Sequence, residues 1–589
     1  MEDYELQDID KKEKIDYKSA LKLVYNLSVP YRKSLGVAFL YLLLSTGTSL
    51  LIPILAKYAI DEAIKTKNFK YLIIIMSAYL ANSLLFLSLN YISSMRLIKT
   101  GQDLILGLKK KLYEHLLSLD TDYYSRTPVG KIMARVQSDS SALYELFTQT
   151  VVSIFKDILM FMAIFAIMFY YNAELAKILL PVVIFIVVIV KIFIDKSSSV
   201  FVSVRKLISE ISGFLSERLN SVATIQSFNK AAQEEDSLNN LNRKKFDMAL
   251  KAEFYSIIFF MTLIMFDPIS KALIFGYGGS RVLSGSLSVG ALVMFVLYVG
   301  QLFEPIFMFS EHISIIQKSF SAGHRINSLL ALRPKIINSE NPVYLDSFKK
   351  GIRFEKVFMK YEQASDWIIK DLTFEIPKGK TIAVVGKTGG GKTTLTNLLL
   401  RFNDYQKGEI YIDGIELKKV NIKSIRKLIG LVQQDIYLFP GTVAENLKLM
   451  DKSVDESRLE YAVKTLELEY FYRKHPLNKK ITEKGNNLSQ GEKQIIALTR
   501  SMVLDQEILC LDEATSNIDP YTERMLTRAI KNVMKHKTMM IIAHRLSTIE
   551  SADTIIFLNN GEIAELGSHD ELLAKKGHYF RYYSLQTGI

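Results

Sequence analysis

The chain has 589 residues, which is too long for one hydrophobic core and fits two or more domains. Hydrophobic residues make up 49% and charged residues 23%, and the apolar residues concentrate in the first half, so a membrane part joined to a soluble part is predicted. The net charge of +13 does not indicate nucleic-acid binding, because much of the basic charge flanks apolar segments. The one cysteine, Cys510, excludes an internal disulfide and is expected to be a small core residue.

The first segment, residues 1–34, is predicted to stay in the cytosol. Residues 1–16 are polar, first acidic and then basic, and lack the pattern of a cleavable signal peptide. Residues 17–33 read as an amphipathic helix that lies along the membrane surface.

Six apolar segments follow, and each has at least the roughly 20 residues that a helix needs to cross a bilayer. We expect a six-helix transmembrane domain over residues 35–332, joined by long cytoplasmic arms at 95–146 and 195–254. These arms are rich in lysine and arginine, so they and both termini are predicted to be cytoplasmic. The predicted spans are 35–59, 71–94, 147–171, 175–194, 255–282 and 288–312.

Each arm carries one short patch that interrupts its helical periodicity, at 122–130 and at 224–229. Aromatic residues at these tips suggest docking on another surface. We hypothesise that the tips carry force between the soluble domain and the membrane.

Some ionisable residues lie inside the apolar spans, where they are costly unless they face a partner or a cavity. Asp267 and Lys271 are four residues apart, which allows an ion pair on one helix face. Glu304 and Glu311 share a face of the last span, which fits either a cavity that attracts cations or a position near the cytosolic interface. Lys156 and Asp157 also lie inside an apolar span.

After a polar linker at 333–349, a strand-rich soluble domain is predicted over 350–589. Its strand 381–385 runs into the glycine-rich sequence GKTGGGKTT and then into a helical run at 395–400. In that context the loop amides and the helix N-terminus bind phosphate, Lys392 binds the β and γ phosphates, and the Thr393 hydroxyl holds Mg²⁺. The predicted ATP cradle consists of Gly386, Lys387, Thr388, Gly389, Gly390, Gly391, Lys392, Thr393 and Thr394.

A second buried strand, 508–513, ends in two carboxylates. We predict that Asp512 is a partner of Mg²⁺ and that Glu513 is the general base that orients the attacking water.

These motifs, with LSQGE at 488–492, resemble those of an ABC transporter half-subunit of the exporter type over nearly the whole chain. The resemblance implies a six-span α-helical transmembrane domain followed by an α/β P-loop ATPase domain. It also implies roles for residues elsewhere in the second half. Tyr361 would stack on adenine, Gln434 would reach Mg²⁺ and the attacking water, Ser489 and Gly491 would act on the ATP of a second subunit, Asp519 would cross to that subunit, and His544 would contact the γ-phosphate.

The signature departs from the family pattern, which is usually LSGGQ. Gln490 replaces a glycine, and Glu492 replaces a glutamine and brings a carboxylate close to a triphosphate. Lys493 is one candidate partner for Glu492. The departures favour a heterodimer with another half-transporter over a homodimer, in which they would be tolerated variation.

The predicted function is therefore ATP-driven export of a small amphiphilic or hydrophobic, drug- or lipid-like substrate by alternating access across the cytoplasmic membrane. The predicted cofactors are ATP and Mg²⁺, and the predicted partners are a second half-transporter and the lipid bilayer, without nucleic acid. The alternative is an ABC ATPase that gates a channel or regulates a partner without pumping.

Overall fold

A computed structural model of the protein describes residues 17–361, 366–387, 389–451, 453–512, 518–543 and 545–587. The described chain forms two compact units. The first holds the residues up to Ser118 together with Thr127–Leu332, and the second holds Leu119–Arg126 together with the described residues from Arg333 onward. The side chains of Glu304 and Glu311 lie outside the described part, so the cavity hypothesis stays a prediction.

The secondary structure described in the first unit is helical throughout, with short π-helical turns at 59–64, 135–139 and 146–150. The N-terminal helix that was predicted over 17–33 is present as α1, with a 3₁₀ turn at 29–31 after it. The helices, together with α4 of the second unit, are α1 (Tyr17–Ser28), α2 (Arg32–Tyr58), α3 (Phe69–Ser118), α4 (Thr121–Arg126), α5 (Val129–Ala134), α6 (Ser140–Glu145), α7 (Val151–Tyr171), α8 (Ala173–Asn220), α9 (Val222–Ser227), α10 (Ala231–Leu283) and α11 (Val289–Ala331).

The long helices exceed what a bilayer needs. Helices α3, α8 and α10 have 50, 48 and 53 residues, whereas about 20 cross the hydrocarbon core. The prediction that the spans continue as helices into the arms is therefore confirmed. Local caps set where they begin: the Asn172 side chain accepts the backbone N–H of Leu175 at 3.0 Å and starts α8 after a one-residue link.

Five helical segments in the described chain are long and apolar enough to cross a membrane by length and composition. The sixth predicted span, 288–312, falls on α11, and Val289–Phe303 is the apolar part of that helix whose side chains are described. In the most apolar stretch of α3 only 6% of residues are buried, which fits a surface that faces lipid or another chain.

The packing of the first unit joins helices that are distant in sequence. The buried hydroxyl of Tyr298 on α11 donates to the Leu50 carbonyl on α2 at 2.7 Å. Phe193 of α8 stacks on Phe259 of α10 with ring centroids 4.1 Å apart. The predicted pair of Asp267 and Lys271 is confirmed, with 2.8 Å between Oδ2 and Nζ.

A single carboxylate, that of Asp61, ties the end of the α2 segment to the start of α11. Its Oδ2 accepts the Ser288 hydroxyl at 2.5 Å and its Oδ1 accepts the Gly290 amide at 2.9 Å. Because the first amides of a helix have no partner within the helix, this carboxylate satisfies one of them and complements the helix dipole.

The second unit contains a six-stranded sheet in the order β12-β11-β3-β10-β9-β6, parallel except for β12, and a four-stranded antiparallel sheet in the order β2-β1-β4-β5. A two-stranded pair, β7 and β8, completes the strands. The strands are β1 (Gly351–Met359), β2 (Ile369–Pro377), β3 (Thr381–Gly386), β4 (Lys407–Ile412), β5 (Ile415–Glu416), β6 (Ile429–Val432), β7 (Gly441–Thr442), β8 (Lys480–Ile481), β9 (Ile508–Asp512), β10 (Thr538–Ile542), β11 (Thr554–Asn559) and β12 (Glu562–Gly567).

The central strands are buried on both faces, as expected for a parallel sheet covered by helices. Val384 and Cys510 point into one hydrophobic cluster, and their neighbours Val385 and Leu511 point into the other. Cys510 is buried, which confirms its prediction as a core residue, and burial raises the pKa of its thiol. The helices of this unit are α12 (Lys392–Leu399), α13 (Ile422–Leu428), α14 (Val443–Lys448), α15 (Glu456–Thr465), α16 (Glu469–Lys474), α17 (Gln490–Val503), α18 (Pro520–Met534), α19 (Leu546–Ile549), α20 (His569–Lys575) and α21 (His578–Thr587).

The first arm tip, which contains α4, is part of the second unit. Asp120, one residue before α4, accepts the backbone amides of Lys335 and Ile336 at 2.7 and 3.3 Å. The docking hypothesis takes the aromatic side chains of the two tips to be exposed. Tyr124 and Phe228 are exposed as expected, whereas Tyr123 is only 5% exposed.

Replacing Asp61 with alanine is expected to destabilise the protein by about 1–3 kcal/mol, because a hydroxyl and a helix amide lose their partner. The neighbouring exposed Glu62 is the matched control, and Glu62→Ala should change stability by less than about 0.5 kcal/mol. Thermal unfolding of the purified protein in detergent measures both. Equal effects of the two substitutions would contradict the role assigned to Asp61.

Candidate nucleotide site

The glycine loop lies between β3 and α12, in the context that the sequence predicted. Strand β3 is buried along its length and ends at Gly386, and α12 begins at Lys392. Gly391 occupies the N-cap position with φ of 90°, and a Cβ there would lie 2.7 Å from Cδ1 of Ile369. Glycine is therefore required, because an L side chain would combine backbone strain with a collision.

Lys392 is held inside the loop rather than extended into solvent. It is 7% exposed, and its ammonium donates to the carbonyls of Gly386 at 2.8 Å and Lys387 at 2.9 Å. Burial lowers the pKa of Lys392, and the nearby charge of Asp512 opposes that shift. The Lys392 ammonium is thus surrounded by backbone carbonyl oxygens, and phosphate oxygens are acceptors of the same kind.

The Thr393 hydroxyl donates to Oδ2 of Asp512 at 2.9 Å. Thr393 lies in the first turn of α12 and Asp512 ends β9, and the parallel strands β3 and β9 flank β10. The carboxyl ends of these strands meet at one edge of the sheet, so a hydroxyl and a carboxylate converge there. Hard oxygen donors of this kind fit Mg²⁺.

Tyr361 lies beside the same helix. Its hydroxyl is 3.4 Å from that of Thr394, and its ring is partly buried against the core between the sheets. This contact places the Tyr361 ring next to the end of the glycine loop. A ring that stacks on the adenine of a nucleotide bound by that loop must lie close to it.

The signature serine begins helix α17. Ser489 is the N-cap, its hydroxyl accepts the Glu492 amide at 3.2 Å, and the Glu492 carboxylate accepts the Ser489 amide at 2.8 Å, which completes a capping box. A Cβ at Gly491 would lie 2.6 Å from Cγ2 of Thr522 on α18. The glycine therefore permits close approach of α17 and α18.

The variant residue Gln490 has a partner in the same chain. Its side-chain amide donates to the Gln434 carbonyl at 3.0 Å. The substitution of the family glycine thus adds a contact between the signature and the loop that carries Gln434.

The other variant residue, Glu492, is paired with His475 rather than with the candidate partner Lys493. Oε1 of Glu492 lies 2.9 Å from Nε2 of His475, which is 4% exposed. Adjacent helix residues diverge, whereas His475 follows α16 and reaches Glu492 through tertiary packing.

Asp519 is the N-cap of α18, where it accepts the amides of Tyr521 and Thr522 at 3.1 and 3.0 Å. A hydrogen bond from the Thr522 side chain, followed by those from the Thr522 and Tyr521 amides, holds the pKa of Asp519 below its usual value. Thr388, Glu513 and His544 lie outside the described residues, so their roles stay predictions.

By direct contact the described site residues form two groups. One contains Tyr361, Lys392, Thr393, Thr394 and Asp512, and the other links the signature to Gln434. Sequence reasoning missed His475 and the Lys479 behind it. No local motif marks these two residues. The one signal in the sequence was the carboxylate of Glu492, which requires a partner if it is to lie near a triphosphate.

Comparisons with known proteins agree with this architecture. Residues 35–306 match the family described as the ABC transporter transmembrane region, and residues 369–516 match the family described as ABC transporter. The uncharacterized ABC transporter ATP-binding protein YknV of Bacillus subtilis (strain 168) is 31% identical over 93% of this chain and 92% of its own length. The multidrug resistance-like ATP-binding protein MdlB of Buchnera aphidicola subsp. Schizaphis graminum (strain Sg) is 30% identical over 97% of this chain and 99% of its own length.

An ATP-dependent lipid A-core flippase of Desulfotalea psychrophila (strain LSv54 / DSM 12343) is 29% identical over 97% of this chain and 100% of its own length. A solved structure of a bacterial Atm1-family ABC exporter with ATP bound superposes with a TM-score of 0.79 at 25% identity, over 94% of this chain and 99% of that chain. The fold and site define a multi-pass membrane protein with an ATP-hydrolysing domain. The chain belongs to the ABC transporter family and is an ATP-driven exporter subunit in which the membrane and ATPase domains are fused. The predicted fold class and activity are confirmed.

The substitution Gln490→Glu tests the added contact, because it keeps the shape and replaces the donor with an acceptor. We expect amide exchange around Gln434 to rise about 5-fold, which corresponds to losing roughly 1 kcal/mol of hydrogen bonding. Hydrogen–deuterium exchange of peptides covering 432–437 measures it. Asn486→Asp at an exposed neighbour makes the same change of charge, and an equal rise there would refute the contact's role.

Proposed function

We propose that two such subunits use ATP to move small amphiphilic or hydrophobic, drug- or lipid-like compounds out across the cytoplasmic membrane. The substrate class is supported by relatives named as a multidrug resistance-like protein and a lipid A-core flippase. It is also supported by the largely apolar surface of the membrane helices. The basic arms support an orientation with both termini and the ATPase domain in the cytoplasm.

The observation that carries the catalytic proposal is the convergence of Lys392, Thr393 and Asp512 at one sheet edge. Lys392 exchanges its carbonyl partners for β and γ phosphate oxygens. The cradle of Gly386, Lys387, Thr388, Gly389, Gly390, Gly391 and Thr394 supplies amides and a helix N-terminus to the phosphates.

Thr393, Asp512 and Gln434 are the residues that would hold Mg²⁺, which supplies neutralisation of phosphate charge. Glu513 orients the attacking water as general base, His544 contacts the γ-phosphate, and Tyr361 stacks on the adenine. Phosphoryl transfer depends on such positioning and charge neutralisation rather than on covalent chemistry.

Ser489 and Gly491 act in trans on the nucleotide of a second subunit, and Asp519 belongs to the loop that crosses to that subunit. ATP binding then closes the two halves, and hydrolysis releases them. The capping box and the His475 pairing of Glu492 support a signature that completes a site, so a homodimer suffices for activity. A heterodimer with another half-transporter is the competing assembly.

The arm tips transmit closure to the spans. The contact of Asp120 with Lys335 and Ile336 supports this for the first tip, and the exposed ring of Phe228 supports docking by the second.

The test is ATP-dependent transport by the purified chain reconstituted alone in lipid vesicles. We expect a fluorescent amphiphile to accumulate against its gradient and to stimulate ATP hydrolysis. Glu513→Gln should lower hydrolysis by at least about 100-fold while MgATP binding persists, because the water loses its base. Asp505→Asn, an exposed acid-to-amide control, should leave hydrolysis unchanged.

Three results would contradict the proposal in different ways. No hydrolysis by the lone chain would refute the homodimer. Hydrolysis with only downhill flux would indicate a channel gate. Full hydrolysis by Glu513→Gln would show that Glu513 is not the general base.

A further inference from the structure

The signature of this chain carries a carboxylate, Glu492, three residues from the serine that meets the partner's nucleotide in the proposed function. The side chain of Glu492 is 17% exposed. Its two oxygens have different partners: Oε2 accepts the Ser489 amide at 2.8 Å, and Oε1 lies 2.9 Å from Nε2 of His475. The charge is therefore held inside the domain.

His475 is itself fixed from three sides. Its ring stacks on Phe471 with centroids 4.7 Å apart and planes at 22°. Nδ1 lies 2.9 Å from Nζ of Lys479. An ammonium can only donate, so Nδ1 is the acceptor and Nε2 carries the proton that faces Glu492.

The imidazole is neutral in this arrangement. Burial lowers the pKa of His475, Lys479 lowers it further, and Glu492 opposes them. The contact with Glu492 is not aligned as a regular hydrogen bond, so its contribution is electrostatic. The Lys479 ammonium thus contacts Nδ1 of the neutral ring, and the Glu492 carboxylate contacts Nε2.

We propose that His475 is a positioning residue for Ser489, acting through Glu492. It holds the carboxylate in the capping box and keeps its charge turned away from the triphosphate that Ser489 approaches. A glutamine at 492, the usual family residue, would cap Ser489 without a charge and would not need such a partner. The acid and the histidine are therefore functionally coupled.

The experiment is a double-substitution cycle on the full-length protein in lipid, with MgATP as the probe. His475→Leu should raise the apparent KM for ATP about 10-fold, because the Glu492 carboxylate then lacks its histidine partner and can face the nucleotide. A change of this size is on the order of one unfavourable contact between two charges near a protein surface. Adding Glu492→Gln to His475→Leu should return KM to within about 2-fold of the parent, since the charge is gone and the cap remains.

Two controls separate positioning from folding. The exposed His536→Leu should change neither KM nor kcat. Binding of a fluorescent ATP analogue should weaken in His475→Leu and recover in the double variant, because in a homodimer each nucleotide meets a signature that carries the same substitutions. Failure of the double substitution to recover KM would show a purely structural histidine and overturn the proposal.

The inference rests on the proposed function, yet one measurement does not need hydrolysis. In the nucleotide-free protein, amide exchange of a peptide covering 488–493 should rise in His475→Leu and fall back in the double variant, because the cap loosens and recovers. If the parent lacks ATPase, the homodimer proposal fails and this exchange pattern decides the inference alone. Unchanged exchange in His475→Leu would overturn it.

Discussion

The ammonium of Lys392 is buried at the centre of the glycine loop, and the rest of the nucleotide site is arranged around it. A buried cation is unfavourable unless oxygens surround it, and here the carbonyls of Gly386 and Lys387 supply them. Gly391, with φ of 90°, turns the backbone from the glycine loop into α12 directly before this lysine. The two carbonyls thus hold the ammonium next to the helix turn in which the Thr393 hydroxyl meets Asp512.

The two departures in the signature follow a common logic, since each polar side chain introduced there has a partner in the same domain. Gln490 donates to the Gln434 carbonyl, and Glu492 is shared between Ser489 and His475. The repulsion between a carboxylate and a triphosphate falls as the distance between them grows. The partners of Glu492 fix where its charge lies, and the partner of Gln490 fixes the amide next to it.

The parts of this structure that sequence could predict depend on local or periodic signals. The strand before the glycine loop, the helix after it and the carboxylate at the end of β9 follow from burial patterns and glycine chemistry. The errors arose where tertiary packing decides. The burial of Tyr123 is not marked by its local sequence, and His475 meets Glu492 only after α16 and α17 have packed.

Two hydrogen bonds hold together the chain segments that lead from one unit to the other. The chain passes from the first unit to the second after Ser118 and again after Leu332. In the first unit, the His115 ring contacts the Leu329 carbonyl at 2.9 Å and joins the ends of α3 and α11. In the second unit, Asp120 accepts the Lys335 amide and joins the residues that follow these two helices. Each unit therefore fixes the spacing of the same two chain segments by its own contacts, and in the first unit Asp61 also ties the start of α11 to the α2 segment.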